Sequence, residues 1–333
     1  MKARPVGLPT RDTWEFRNDP VPQSLSGADD ILVQVKSLSL DPAMRGWLND
    51  AKSYIPPVGI GEVMRASGVG EVVLSNNPRF PVGTNVAGGF GVQQYSTQTG
   101  SELKRNGVVK VDLKLASDTQ WLNVLGMPGM TAFFGLKDVG LPKAGETIVV
   151  SAAAGAVGQT VGQLAKIYGL RVVGIAGGKE KCDWVVKDLG FDACIDYKDK
   201  STKLSSALKE HCPKGIDIYF DNVGGEILDQ VLAKINRKAR IVVCGAISQY
   251  NSETGVVGPR NYLSLLVNRA RMEGMVVFDY APRYHEAVGE MSKYLHDGKM
   301  KSKEHIVTGI DEFPDALNML FTGANFGKLV LRV

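Results

Sequence analysis

Between a β-branched run and a helical stretch stands Ala153-Ala154-Gly155-Ala156-Val157-Gly158, a G-x-G-x-x-G pattern with alanine in its first place. Residues of these types at this spacing hold a diphosphate. Gly155 lets the backbone approach the anion, and Gly158 lets a helix pack close to a sheet; the alanine admits a slightly wider turn. The unpaired N–H groups and positive dipole end of the helix then face the negative charge. The pattern by itself is weak, and its setting makes it specific. Thr147-Ile148-Val149-Val150-Ser151 reads as a strand covered on both faces. From Thr160 to Tyr168, Val161, Leu164, Ala165 and Tyr168 share one helical face. Gly169 ends that helix as a C-cap, and Arg171 to Ala176 begins a second strand. Strand, turn, helix and strand in this order predict a dinucleotide site, with Gly155, Ala156, Val157 and Gly158 at the diphosphate.

The end of the second strand speaks to which dinucleotide. An NAD site expects Asp or Glu there, about 20 residues after the glycines, to hold the ribose hydroxyls. Here the strand runs into Ala176-Gly177-Gly178-Lys179-Glu180-Lys181. No carboxylate stands at the tip, and Glu180 suits the first turn of the next helix as a dipole partner. Lys179 and Lys181 are placed to neutralise a ribose 2′-phosphate. NADPH is therefore expected rather than NADH.

The elements that must position this site follow from the rest of the chain. Its 333 residues suit two domains rather than one core. Hydrophobic content of 44% and charged content of 22% belong to a globular protein, and a net charge of +4 without a basic block implies no nucleic-acid partner. No apolar run reaches the ~18 residues of a membrane span, and the N-terminus lacks a signal-peptide core, so neither a membrane nor secretion is expected. The four cysteines, Cys182, Cys194, Cys212 and Cys244, are scattered without a C-x-x-C pair, as in reduced cytoplasmic proteins.

Residues 1–125 read as mostly β, with Ile31 to Lys36, Gly68 to Leu74 and Thr84 to Ala87 as strands of a barrel-like meander cornered by glycine. Asp41-Pro42 signals a helix start, and Pro56-Pro57 a stiff loop. After the fingerprint, Ala193 to Tyr197, Ile216 to Asp221, Arg240 to Gly245 and Met272 to Phe278 are strand-like with helical segments between them. That alternation predicts a doubly wound parallel sheet, with ligands at the carboxyl ends of its strands. The tips to inspect are Tyr197, Asp221 to Gly225, Gly245 to Ser248 and Phe278. Lys328 to Val333 is a last alternating run, expected to return to the first domain's sheet. The domains expected are 1–125, 126–296 and a return segment 297–333.

At the level of motifs the chain resembles the zinc-independent medium-chain dehydrogenases/reductases, in the branch of prostaglandin reductases, leukotriene hydroxydehydrogenases and alkenal double-bond reductases. The matching stretches run through the chain: Arg4-Pro5-x-Gly7-x-Pro9, Leu40-Asp-Pro-x-Met-Arg45, Gly126-Met-Pro-Gly-Met-Thr-Ala132, Ala152 to Gly158, Phe220-Asp-Asn-Val-Gly-Gly225, Cys244-Gly-Ala-Ile-Ser248 with Tyr250-Asn251, Arg271-Met-Glu273 and Asn325-Phe-Gly-Lys328. The resemblance implies an α/β fold: a discontinuous GroES-like β-rich catalytic domain, an inserted Rossmann NADPH-binding domain, and a homodimer paired through the last Rossmann strand. It also implies that Lys181 and Tyr197 meet the adenosine phosphate end. Asn222, Cys244, Gly245, Ala246, Ile247, Ser248, Tyr250, Phe278 and Asn325 would line the rest of NADPH.

Zinc-dependent relatives take Cys and His ligands from the first domain, yet no Cys precedes 182 and no His precedes 211. A catalytic zinc held by such ligands is excluded by composition. Hydride addition to an activated alkene then remains: hydride to the β-carbon of an α,β-unsaturated aldehyde or ketone, and an enolate that is protonated at the α-carbon. The resemblance credits a tyrosine near the nicotinamide ribose with this last role, and Tyr250 matches it; the alternatives are that Tyr250 only packs and bonds the ribose, with water or the ribose hydroxyl as proton source. Ala43 replaces a tyrosine that many relatives carry, and Tyr54 is the nearest substitute hydroxyl. Asp41 and Arg45 are expected to form a structural pair. Tyr54, Phe90, Met127, Tyr262 and Tyr280 are the candidates for an apolar substrate pocket, with core packing as the competing reading. The rival functions are an NADPH quinone oxidoreductase and a non-catalytic NADPH-binding protein.

Overall fold

The computed structural model describes all 333 residues. They form two compact units, Met1–Asn123 with Glu304–Val333, and Val124–Lys303. In the first, β1 (Ile31–Ser39), β2 (Ser67–Ser75), β3 (Asn85–Gly89), β4 (Tyr95–Gln98) and β5 (Val109–Lys110) are antiparallel, with β1 pairing both β2 and β4. Register shifts between Leu32 and Val33, and between Val35 and Ser37, bend β1 so that it can serve both partners.

The second unit carries a six-stranded sheet. Its strands are β6 (Thr147–Ser151), β7 (Arg171–Ala176), β8 (Ala193–Asp196), β9 (Ile216–Asp221), β10 (Ile235–Val243) and β11 (Arg271–Gly274). All pairs are parallel, in the order β11-β10-β9-β6-β7-β8. Every residue of β6 is buried, as its unbroken apolar run requires. The order reverses between β6 and β9, so a crevice opens where their carboxyl ends part. The chain then re-enters the first sheet with β12 (Glu304–Thr308) and β13 (Lys328–Arg332), the latter antiparallel to β1 with Ser37 opposite Arg332. No helix is long and apolar enough to cross a membrane.

Three expectations change. The strand foreseen from Met272 to Phe278 stops at Gly274, because β11 has only β10 to pair with and that ladder ends at Val243; Val277–Arg283 coils into a 3₁₀ turn. β12 had no sequence signal, since Glu304-His-Ile-Val-Thr is short and half polar. Residues 297–303, foreseen with the return segment, stay with the second unit. There Gln159 and Gln163 hold their backbone, accepting from the Lys303 and Lys301 N–H groups at 3.0 and 2.7 Å.

Asp41 is paired, though with a different cation from the one expected. Lys328, its side chain 1% exposed, sets its ammonium 2.6 Å from Asp41 and 2.8 Å from the Leu40 carbonyl. Burial pushes the Lys328 pKa down and Asp41 opposes that shift. Arg45 is engaged elsewhere, donating to the carbonyls of Gly7 and Pro5 and to Asn49. The Lys328 pair fixes the turn that enters the helix Ala43–Gly46. Replacing Lys328 by Met strands the Asp41 charge and should cost about 3–5 kcal/mol. Urea unfolding of Lys328→Met, with Lys328→Met/Asp41→Leu as the recovering double variant, checks this.

Candidate active site at the carboxyl edge of the parallel sheet

The fingerprint turn is tight and locally strained. Ala152 takes a left-handed φ of 50°, a conformation that costs a β-carbon-bearing residue about 1–2 kcal/mol. Gly155 donates back to the Ala152 carbonyl at 2.8 Å and caps the helix Ala156–Ile167 without a side chain. No capping side chain therefore competes for the first-turn amides, which point at whatever anion is bound. A β-carbon on Gly158 would lie 2.2 Å from the Ala152 oxygen, so only glycine lets helix and turn approach this closely. Val161, Leu164 and Ala165 are fully buried, on the face foreseen.

At the tip of β7, Gly177 and Gly178 leave the backbone bare, and Gly178 has a φ of 102°. Asp196 bridges the neighbouring segment: one carboxylate oxygen accepts from Gly178 N at 2.8 Å and from Lys198 N at 2.9 Å. Tyr197 is 43% exposed at this point, and burial of its ring raises its pKa. Lys181 is half-buried, and burial followed by the Lys198 charge lowers its pKa. Lys179 does not join them, because it reaches along its helix to Asp183 at 2.6 Å. A cleft of about 460 Å³ opens beside Tyr197, lined also by Lys203, Leu204, Glu226 and Ile227.

The tips of β6, β9 and β10 are tied by one aspartate. Asp221, 1% exposed, offers Oδ1 to the Tyr219 hydroxyl at 2.8 Å, to Gly224 N at 2.8 Å, to Val223 N at 3.0 Å and to Ser151 Oγ at 3.3 Å. Its pKa is raised by burial, against the pull of these donors. Its backbone carbonyl accepts from Cys244 N and Gly245 N at 2.9 and 3.1 Å. Asn222 is clamped to Ser151 twice, N to Oγ at 2.9 Å and Nδ2 to the carbonyl at 2.8 Å. Ser248 donates to the Val223 carbonyl at 2.6 Å. The 244–250 segment thus sits against the Asn222 turn. Burial pushes the Cys244 thiol up to about 12, so it is no thiolate nucleophile near neutrality.

Tyr250 returns to this loop. Its hydroxyl oxygen accepts from Ala246 N at 3.1 Å, and a β-carbon on Gly245 would lie 2.7 Å from it. Residues 155–158, 181, 197, 222 and 244–250 therefore all gather at strand ends of one sheet. Phe278 lies in the 3₁₀ turn after β11, 41% exposed.

The pocket candidates divide. Tyr280 stacks on Phe134 with centroids 4.8 Å apart and planes 12° apart. Tyr284, which carried no motif, links that cluster to Met127, its hydroxyl 3.6 Å from the sulfur. Tyr262 is 58% exposed in the second unit and Tyr54 56% exposed in the first. Phe90 is a core residue and no pocket wall: it is 2% exposed in the first unit's cluster, and its ring lies 3.2 Å from where β-carbons on Gly68 and Gly88 would stand. Asn325, in the first unit, turns its amide to the Gly327 carbonyl at 3.0 Å. Ser151, Lys198 and Tyr284 lie against candidate site residues, and sequence reasoning passed over them. Lys198 alone had a signal, in its place just beyond a strand tip.

Gly158→Ala should force the helix Ala156–Ile167 away from the turn. The expected outcome is a melting temperature lower by several degrees, and dinucleotide binding weakened by at least tenfold in a fluorescence titration.

Residues 1–105 match a family model described as the N-terminal domain of oxidoreductase, and residues 156–293 one described as zinc-binding dehydrogenase. The chain is 42% identical to the NADPH-dependent curcumin reductase of Escherichia coli over 339 residues, covering 100% of this chain and 95% of the relative. It is 40% identical to the NADP⁺-dependent 2-alkenal reductase of Nicotiana tabacum over 335 residues, covering 100% and 96%. Among solved structures, CurA from Vibrio vulnificus in complex with NADPH superposes with a TM-score of 0.92 at 43% identity, covering 100% of this chain and 97% of that one. With a parallel dinucleotide sheet, a β-rich partner unit and no Cys or His in its first 181 residues, the chain belongs to the zinc-independent medium-chain dehydrogenases/reductases.

Proposed function

We propose that this protein is an NADPH-dependent reductase of the carbon–carbon double bond in small apolar α,β-unsaturated aldehydes and ketones, working without a metal. The observation that carries the reading is the Tyr250 hydroxyl, held by a backbone N–H at the edge of the candidate dinucleotide site. The residues of the second unit fit the cofactor: bare helix amides at 156–158 for the diphosphate, Lys181 and Tyr197 for the adenosine phosphate, and Asn222, residues 244–250 and Phe278 for the remainder, to which the resemblance adds Asn325. NADPH, when bound, supplies the hydride. Relatives named for 2-alkenal and curcumin reduction, 40% and 42% identical, support an activated alkene as substrate.

In this reading the alkene's β-carbon gains the hydride, and the π electrons move to the carbonyl oxygen as an enolate. Tyr250 stabilises that oxygen and supplies the proton for the α-carbon. A phenol whose oxygen accepts an N–H bond becomes a better acid as its charge develops, because the donor is already in place. Gly245 makes room for that hydroxyl. Met127, Tyr280 and Tyr262 are the proposed apolar contacts of the substrate, and Tyr54, the tyrosine nearest in sequence to Ala43, is the proposed substitute hydroxyl.

The test follows NADPH oxidation at 340 nm with a medium-chain 2-alkenal, an aryl enone and a quinone, identifying products. A saturated carbonyl product is expected, and Tyr250→Phe should lower kcat about 10²-fold with little change in the Kd of NADPH. Turnover of the quinone alone would establish the quinone oxidoreductase reading. NADPH binding without turnover of any substrate would establish a non-catalytic binding protein.

The same reading has the protein as a cytoplasmic homodimer. β11 is an exposed sheet edge, and Leu263, Leu266 and Val267 in the preceding helix are 57%, 75% and 68% exposed. An open strand edge beside such residues favours a second copy. Light scattering should return twice the 35.9 kDa chain mass, and Leu266→Asp should shift it towards the monomer.

A further inference from the structure

We infer that Lys198 is a second cation for the cofactor's 2′-phosphate, acting beside Lys181 and Tyr197 at the Gly177-Gly178 strand tip to select the phosphorylated dinucleotide. The inference rests on the NADPH reading above and adds a residue that neither the glycine pattern nor the strand-end lysines indicate. Its basis is where the side chains lie. A β-carbon on Gly177 would stand 2.9 Å from the Tyr197 hydroxyl and 3.0 Å from Lys198 Cε, so both side chains fold back over the bare strand tip. The backbone beneath them is pinned. Lys198 N and Gly178 N share one Asp196 oxygen at 2.9 and 2.8 Å, and Tyr197 N donates to the Ala176 carbonyl at 3.1 Å.

Charge points the same way. Asp196 is engaged by these two amides, and Asp183 by Lys179 and Lys187 at 2.6 and 3.0 Å, which leaves Glu180 as the carboxylate whose charge bears on Lys181, opposing the fall in its pKa. The Lys198 charge bears on the half-buried Lys181, adding to burial in lowering its pKa. Two like charges held together over a surface without side chains repel each other in the free protein. A phosphate monoester, carrying about −1.5 to −2 charges near neutrality, relieves that repulsion at both lysines. A 2′-hydroxyl relieves neither. Discrimination therefore lies in the ligand's charge, with Lys198 exposed and able to close on it.

The probes are 2′,5′-ADP and 5′-AMP, which differ only in the 2′-phosphate, titrated calorimetrically into the full-length protein and its Lys198→Ala, Lys198→Arg and Lys181→Ala variants. Lys198→Ala should weaken 2′,5′-ADP about tenfold and leave 5′-AMP within twofold, with Lys198→Arg restoring most of the loss. Equal weakening of both nucleotides, or an unchanged 2′,5′-ADP affinity, would overturn the role of Lys198 while leaving NADPH in place. A wild-type protein that binds both probes alike would remove the NADPH preference itself, and the inference with it.

Discussion

The carboxyl edge of the parallel sheet is held in one arrangement because the buried Asp221 carboxylate accepts from two hydroxyls and two backbone amides, while its carbonyl accepts from the next strand's loop. Burying a carboxylate is unfavourable unless its lone pairs are met, and here one oxygen meets four donors. The consequence is geometric. Ser151 at the end of β6 is bonded to Asn222 at the end of β9, and Asn222 and Val223 in turn hold the 246–248 segment. Three loops that would otherwise move independently become one surface, against which a dinucleotide can be bound in a single pose.

The glycine turn next to this surface obeys a complementary constraint. Its anion site needs the helix start to lie against the sheet, and that approach is set by the missing side chain at Gly158 and by the left-handed Ala152. The strain at Ala152 is held by its surroundings: Gly155 N donates to the Ala152 carbonyl and Ala153 N to the Ile175 carbonyl of the next strand. Binding of the diphosphate is therefore prepared by backbone alone. In the proposed reading, side chains enter at the adenosine end, where Lys181, Tyr197 and Lys198 are assigned to the 2′-phosphate around two glycines. That reading divides affinity and specificity between backbone and side chains.

Tyr250 joins the two themes. Its phenol is placed by a backbone N–H on the loop that Asp221 organises, in space that Gly245 leaves open. The first unit shows a parallel device, in which the buried Lys328 holds the turn at Asp41 just ahead of Ala43. In both cases a polar group out of water fixes the backbone of a turn. Such groups contribute little net stability compared with apolar packing, and their value lies in fixing one conformation.

The parallel sheet, its glycine turn and the strand tips that carry the site were legible in the sequence, because buried β-branched runs, helical periodicity and glycine spacing are local signals. The lack of an acid at the end of β7 and of Cys or His in the first half were equally plain, since a missing residue type needs no structure to be seen. What only the tertiary structure decided depended on contacts between residues distant in sequence. Asp41 and Lys328 lie at opposite ends of the chain, and nothing local distinguishes their pairing from one between Asp41 and Arg45. Lys179 and Lys181 differ by two positions, which on a helix turns them to different faces, one towards Asp183 and the other towards Lys198. Phe90 looked like a pocket aromatic until Gly68 and Gly88 were seen to make room for it in the core. The strand expected to reach Phe278 ended where its only neighbour did. Pattern reports what a segment prefers; which side chains meet is set by the fold that brings the segments together.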